Sequence, residues 1–313
     1  MDGNNLITAF QNGLPVLSKV GPIVGAIFTA IFFRKNIRDA EFEKLKAGKF
    51  QEVADKLLEA GYMTYTEYYK ASNFLHVAEL ADKVFKKDFK NTAANNQKYD
   101  FDWFMRFYDI VGNVSDSDMQ TLWAKILAGE IHQKGTYSLR LLDILKNFTQ
   151  KEGKLFDKVC SHCLISGSNV FIPNYTEYLK LGNITYQDIL DLDDLGLLNS
   201  RGDILLTAQM SSNGNYVMGN NKLYMMVKSR DSKNTAKEFT IKQFPFTAVG
   251  KELVMLTGKH ASDKDFLIFI ESVIKENADR TPFIITANRL VVENNSMRFE
   301  KINLDSAMKA SED

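Results

Sequence analysis

Cysteine is scarce: the 313-residue chain holds two, Cys160 and Cys163. Two thiols cannot build a disulfide framework, and such scarcity fits a reducing compartment. Net charge is lacking too. Lysine plus arginine and aspartate plus glutamate each number 39, so no whole-chain basic field exists to draw in nucleic acid. The marks of a secretory signal are missing. Asp2 stands where a basic region belongs, and no small-residue cleavage site follows the first apolar run.

The signatures of familiar catalytic centres are also absent. There is no G-x-S-x-G nucleophile elbow and no H-E-x-x-H. Gly250-Lys251 lacks the upstream glycine of a phosphate-binding loop. Glu41 and Glu43 beside Lys44 read as the solvated face of a charge-alternating helix, not as a nuclease cluster. Cys160-Ser-His-Cys163 has the C-x-x-C spacing of zinc and redox sites. A structural zinc ion asks for four ligands, however, and no second cysteine pair exists, while His76, His132 and His260 lie far off in sequence. The plainer reading is two small apolar residues on one helix face. The sequence thus points away from an enzyme, with no catalytic, cofactor-binding or metal-binding residue expected.

What the chain does hold is core-forming material. The hydrophobic share is 45% and phenylalanine numbers 22, enough for two or three modules with their own cores. The first distinctive stretch runs from Val20 to Phe33, fourteen residues without a charge. Val20, Pro22, Ile23, Val24, Ala26 and Ile27 are followed by Phe28, Ala30, Ile31, Phe32 and Phe33. Lys19 precedes the run, and Arg34, Lys35 and Arg38 follow it. As a helix the run spans about 21 Å at 1.5 Å per residue. A bilayer core is about 30 Å thick. One copy is therefore short for a crossing, and by length alone a buried core helix or an oligomer contact serves at least as well.

Residues 36–60 are charge-dense, with Phe42, Leu45, Val53 and Leu57 near helical spacing, which predicts an amphipathic helix. A helix is expected from Thr66 to Lys87, then a polar linker over Lys90–Lys98. Phe101 to Val111 reads as an aromatic helix stopped by Gly112. Ser115-Asp-Ser-Asp118 resembles a capping box opening a helix through Leu122, Trp123, Ile126 and Leu127. Ser138 reads as the cap of a short helix, and Thr149-Gln-Lys-Glu152 as another box opening a helix towards Cys163. Short loops between capped helices predict an antiparallel bundle. After Pro173 the pattern changes. A helix is expected over Ile184–Leu195, with strands over Ile204–Thr207, Lys222–Val227 and Glu238–Phe244 and a long loop, Ser211–Asn221, between the first two. That is the outline of a winged helix. A helix over Asp263–Asn277 and a final hairpin from Phe283–Val292 and Met297–Ile302 complete the chain.

The fold class expected is mainly α with a smaller α+β part: a helical bundle, a winged-helix-like module and a C-terminal hairpin. The domains expected are 1–62 (apolar segment and amphipathic helix), 63–165 (bundle) and 166–313 (winged-helix-like region). In a winged helix, the helix before the wing reads the DNA groove. Here it carries Asp188, Asp191, Asp193 and Asp194 with no lysine or arginine between them, so it would repel phosphates.

The span from about Tyr99 to Phe156 carries a longer signal. It contains Phe101-Asp-Trp103, Val114-Ser-Asp116, Gln120-Thr-Leu-Trp-Ala-Lys-Ile-Leu-Ala-Gly-Glu130 and Gly135-Thr-Tyr-Ser-Leu-Arg140. This combination resembles a bacterial domain-of-unknown-function family related to the abortive-infection alpha proteins. Weaker echoes are Leu195-Gly-Leu-Leu198 and Phe246-Thr-Ala-Val-Gly-Lys-Glu-Leu253. The resemblance implies a link with phage defence and carries no catalytic residue. Physically, Trp123 and Leu127 are spaced i and i+4 on one helix face and read as core.

Together these readings predict a non-enzymatic defence protein whose apolar segment disrupts a membrane when a phage component is sensed. It is expected as a homo-oligomer, with a phage protein as trigger and the inner membrane as target. It is expected in the cytoplasm until activation, without a specific nucleic acid. A cytosolic interaction or assembly module is the alternative, and a nucleic-acid-directed regulator or nuclease the second.

Overall fold

The computed structural model describes residues 58–59, 64–89, 100–202, 204–212, 214–230, 238–277, 282–293, 296–304 and 306–307. The apolar segment 20–33, the linker 90–98 and all but residues 58–59 of the amphipathic stretch 36–60 lie outside them. The chain divides into two compact units between Lys146 and Asn147.

The first unit is helical. Helix α1 (Tyr65–Asp88) opens on a reciprocal capping box between Thr64 and Glu67. Helix α2 (Phe101–Val111) is capped by Asp100, whose side chain accepts from the backbone of Asp102 and Trp103. Helix α3 (Ser117–His132) is capped by Asp116, one residue later than the Ser115 start read from sequence. Aspartate accepts two backbone N–H groups there, so no downstream carboxylate is needed to complete the cap. Helix α4 (Leu139–Lys146) starts on Ser138, whose hydroxyl accepts from the backbone of Leu141. Helix α1 packs along α3 and against α2, and α2 packs on α4. Phe74 of α1 meets Phe104 and Phe107 of α2 edge-on, at centroid distances of 5.6 and 6.2 Å, a favoured aromatic arrangement.

The second unit is α+β. Helix α5 (Gln150–Cys160) opens on the expected Thr149–Glu152 capping box. Strands β1 (Leu164–Ser166) and β2 (Asn169–Pro173) follow, then α6 (Thr176–Leu181) and α7 (Tyr186–Asp194). Strands β3 (Leu205–Gln209), β4 (Asn215–Asn220), β5 (Leu223–Ser229) and β6 (Glu238–Pro245) lead to α8 (Ala248–Thr257) and α9 (Asp263–Asn277). Strands β7 (Phe283–Glu293) and β8 (Ser296–Lys301) come last. Two antiparallel sheets form, ordered β1-β2-β6-β3 and β4-β5-β7-β8.

Of the three strands expected in the wing region, the first and third pair with each other and the second does not join them. Strand β3 pairs with β6 in the first sheet, whereas β5 lies between β4 and β7 in the second. The reason lies in the supposed loop 211–221. Its Tyr216 and Met218 share one face, so the segment folds as β4 and takes the partner position beside β5. The core gathers between these elements. Phe171, Phe239 and Ile241 come from the first sheet, Met225, Val227 and Ala287 from the second, and Phe266, Phe269 and Ile270 from α9.

Candidate functional site

The stretch Gln120–Glu130 folds as architecture. Trp123, Ile126 and Leu127 are fully buried, and Trp123 meets Phe107 edge-on at 5.6 Å. Phe107 stacks in turn on Trp103 at 5.1 Å. The indole of Trp103 donates to the carbonyl of Tyr137 at 2.9 Å, and the Gln120 amide donates to the Val114 carbonyl at 2.9 Å. Gly129 is required by close approach: a Cβ there would stand 2.7 Å from the Tyr137 ring. Glu130 is buried, and its carboxylate accepts from the backbone N–H of Gly135 at 2.7 Å and of Tyr137 at 3.2 Å. Burial pushes this carboxyl above the ordinary value, although those backbone donors pull the other way. Residues scattered over Asp100–Arg140 thus meet in one lattice that fixes the turn after α3.

Glu130→Ala is expected to destabilise the first unit by roughly 1–3 kcal/mol, because the buried Tyr137 N–H loses its acceptor. Glu130→Gln keeps the volume and one acceptor oxygen and should lose less. Urea denaturation of the two variants checks this, and equal losses would remove the hydrogen bonds as the cause.

The C-x-x-C sits at the end of α5, where Cys160 and Cys163 are both fully buried. Cys160 Sγ lies 3.2 Å from Thr257 Oγ1, and both sulfurs lie 3.8 Å from the Lys259 carbonyl. The two thiols, which are free, also share a hydrogen bond. That bond draws Cys160 below its usual value and, together with burial, pushes Cys163 far above it.

The imidazole of His162 turns away, to Asp265 of α9, with Nδ1 2.7 Å from Oδ1. Asp265 is buried, and its other oxygen accepts from Ser262 N at 2.6 Å and Ser262 Oγ at 2.5 Å. Gly182 leaves room for this ring, since a Cβ there would lie 2.7 Å from His162 Cδ2. Among the described residues no group of three histidine, cysteine, aspartate or glutamate side chains could hold a metal ion. The arrangement ties the end of α5 to the end of α8, where the thiols face Thr257 and the Lys259 carbonyl, and to α9, where the imidazole faces the Asp265 carboxylate. The Asp265 partnership was missed in the sequence. Ser262-x-x-Asp265, the spacing of a capping box, was the signal that could have shown that Asp265 is placed to be held.

Asp265 carries a pH consequence. Burial raises its carboxyl, but the hydrogen bonds from His162 and from Ser262 outweigh burial and hold it below the ordinary value. A carboxylate lowered by folding stabilises the fold above its unfolded pKa, about 3.9 for aspartate. That contribution is lost as pH falls through the lower folded value. Urea midpoints should therefore fall as pH drops from about 5 to about 3, and fall less for Asp265→Asn. Equal slopes would show that Asp265 does not contribute.

The carboxylates of α7 are engaged locally. Asp188 completes a capping box with Thr185 and pairs with Lys158 at 2.7 Å. Asp191 accepts from Gln187 at 2.6 Å, and Asp193 from the Ser200 hydroxyl at 2.6 Å. Asp194 is exposed.

Every residue singled out for membrane action, Val20 to Phe33 with Lys19, Arg34, Lys35 and Arg38, lies outside the described residues. Among those described, no helix is long and apolar enough to cross a membrane. The family described as "Protein of unknown function (DUF2806)" matches residues 65–270. The chain belongs to this family. The DUF2806 match begins at the first residue of α1 and ends within α9, so it takes in both the Gln120–Glu130 stretch and the His162–Asp265 pair. No curated protein matches the chain, and no solved structure does.

Proposed function

We propose that this DUF2806 protein is a non-enzymatic, abortive-infection type defence protein that acts on the inner membrane through Val20–Phe33. The observation carrying this reading is the charge-free run itself, bounded by Lys19 and by Arg34, Lys35 and Arg38. Such a run gains free energy on leaving water at about 25 cal/mol per Å² of apolar surface. Basic residues after it favour the cytoplasmic side. Gly21, Pro22 and Gly25 fall in its first half, and glycine and proline there weaken the preference for one rigid helix. At about 21 Å the run is short for a single crossing, so several copies act together and thin the bilayer or line a pore. A phage component serves as the trigger, and the remaining domains hold the segment back until it arrives. The resemblance of Gln120–Glu130 and its neighbours to the relatives of abortive-infection alpha proteins supports the defence assignment.

The test is fractionation of cells before and after infection, followed by leakage of dye from anionic vesicles with purified protein. Movement to the membrane fraction on infection, with leakage in vitro, is the expected result. A protein that stays in the soluble fraction and leaves vesicles intact overturns the reading.

A further inference from the structure

We infer that two copies of this chain join edge to edge through β8, antiparallel about an axis at Phe299. The inference goes beyond the proposed function and holds whether or not Val20–Phe33 enters a membrane.

Among the described residues, strand β8 lies at the end of the sheet β4-β5-β7-β8, paired on one side with β7, and all its residues are exposed. Such an edge presents unpaired N–H and C=O groups to any second strand. Which groups are free follows from the register. Ile302 N donates to Ala287 O, and the ladder continues with Asn288 opposite Lys301 and Leu290 opposite Phe299. In an antiparallel pair, hydrogen-bonded and non-hydrogen-bonded positions alternate. Ser296, Arg298 and Glu300 therefore turn their backbone groups towards β7, and Met297, Phe299 and Lys301 turn theirs to the open edge.

A second β8 centred on the first uses these groups fully. Phe299 exchanges hydrogen bonds with Phe299 of the other copy, and Met297 with Lys301 on either side. The intervening pairs then set Arg298 opposite Glu300 twice, at non-hydrogen-bonded positions about 4.5 Å apart between Cα atoms. Opposite charges facing directly across strands are favourable. Within one copy Arg298 already reaches Glu300 at 2.6 Å and Glu293 at 3.4 Å, so the guanidinium and carboxylates are at hand for a shared network. Moving the axis one residue to either side sets Arg298 against Arg298, or Glu300 against Glu300. Like charges across strands are unfavourable, so the Phe299-centred register stands out from its neighbours.

The apolar face supports the same arrangement. Met297 is 76% exposed, Val292 59% and Phe299 45%. Met297 and Val292 are cross-strand partners, Phe299 is the partner of Leu290, and its ring meets Tyr224 edge-on at 4.9 Å. Pairing at Phe299 places two such stripes side by side on one continuous face, with the ion pairs on the other.

The experiment uses the full chain. A Phe299→Cys variant under mild oxidation should form a disulfide-linked dimer, because hydrogen-bonded partners sit about 5.5 Å apart between Cα atoms, within disulfide reach. Val217→Cys, on the far strand β4, should not. The same crosslink should form when Ala26→Asp and Ala30→Asp are added, which separates this interface from any assembly by the apolar segment. In sedimentation, Arg298→Glu should weaken the dimer about tenfold or more, and adding Glu300→Arg should restore it. No crosslink at Phe299→Cys, or a dimer indifferent to Arg298→Glu, overturns the inference.

Discussion

Ala26→Asp combined with Ala30→Asp is expected to abolish vesicle leakage and any protection against phage, while the rest of the chain keeps its fold. The two positions are four apart, so on a helix they share a face. One carboxylate at the centre of a membrane helix costs about 2.5–3.5 kcal/mol on insertion scales, so two together block entry. Burial of the run in a protein core gives a different outcome. The two aspartates would then unfold or aggregate the chain, since an unpaired buried charge is costly. Thermal melting, leakage and phage plating of the double variant distinguish the two. A variant that stays soluble, folded and fully protective removes the membrane reading.

Trp123→Ala is expected to destabilise the first unit by roughly 3–5 kcal/mol, the range for deleting a large buried aromatic side chain. Trp123 is fully buried against Phe107, so alanine leaves a cavity between α2 and α3. Among the described residues its indole N–H has no hydrogen-bond partner, and a buried donor left unpaired costs about 1–3 kcal/mol. Trp123→Phe removes that penalty while filling part of the space, so it should lose much less than the alanine variant. Urea denaturation of the three proteins gives the order. An alanine variant that melts like the parent but loses activity would place Trp123 at a functional surface instead.

The two predictions rest on unlike grounds. The first uses composition alone: a charge-free run is visible without knowing where it lies. The second needed only periodicity to place Trp123 and Leu127 on one face, and both are fully buried.

Local signals carried much of the helical part. Phe101 to Val111 forms the helix its aromatic spacing and following glycine announced, and Asp263 to Asn277 forms the one its apolar pattern announced. The Thr149 capping box opens a helix because both of its hydrogen bonds are made within four residues. Ser115 gave way to Asp116 because a single carboxylate satisfies two orphan N–H groups without a downstream partner.

Tertiary structure decided what joins what. Strand partners are non-local. The sequence marks β3, β5 and β6 by their β-branched and aromatic residues, but nothing in them says that β3 pairs with β6 and β5 with β7. Within the expected loop 211–221, residues 215–220 form a strand that pairs with β5. Glu130 reads in sequence as one more charge on a helix, and only the folded turn delivers the N–H groups of Gly135 and Tyr137 to it. His162 lies 103 residues from Asp265, and only the packing of α9 brings their side chains together. Hydrogen bonds between neighbours along the chain can be read from spacing. Those between distant residues depend on burial, which no short stretch of sequence determines.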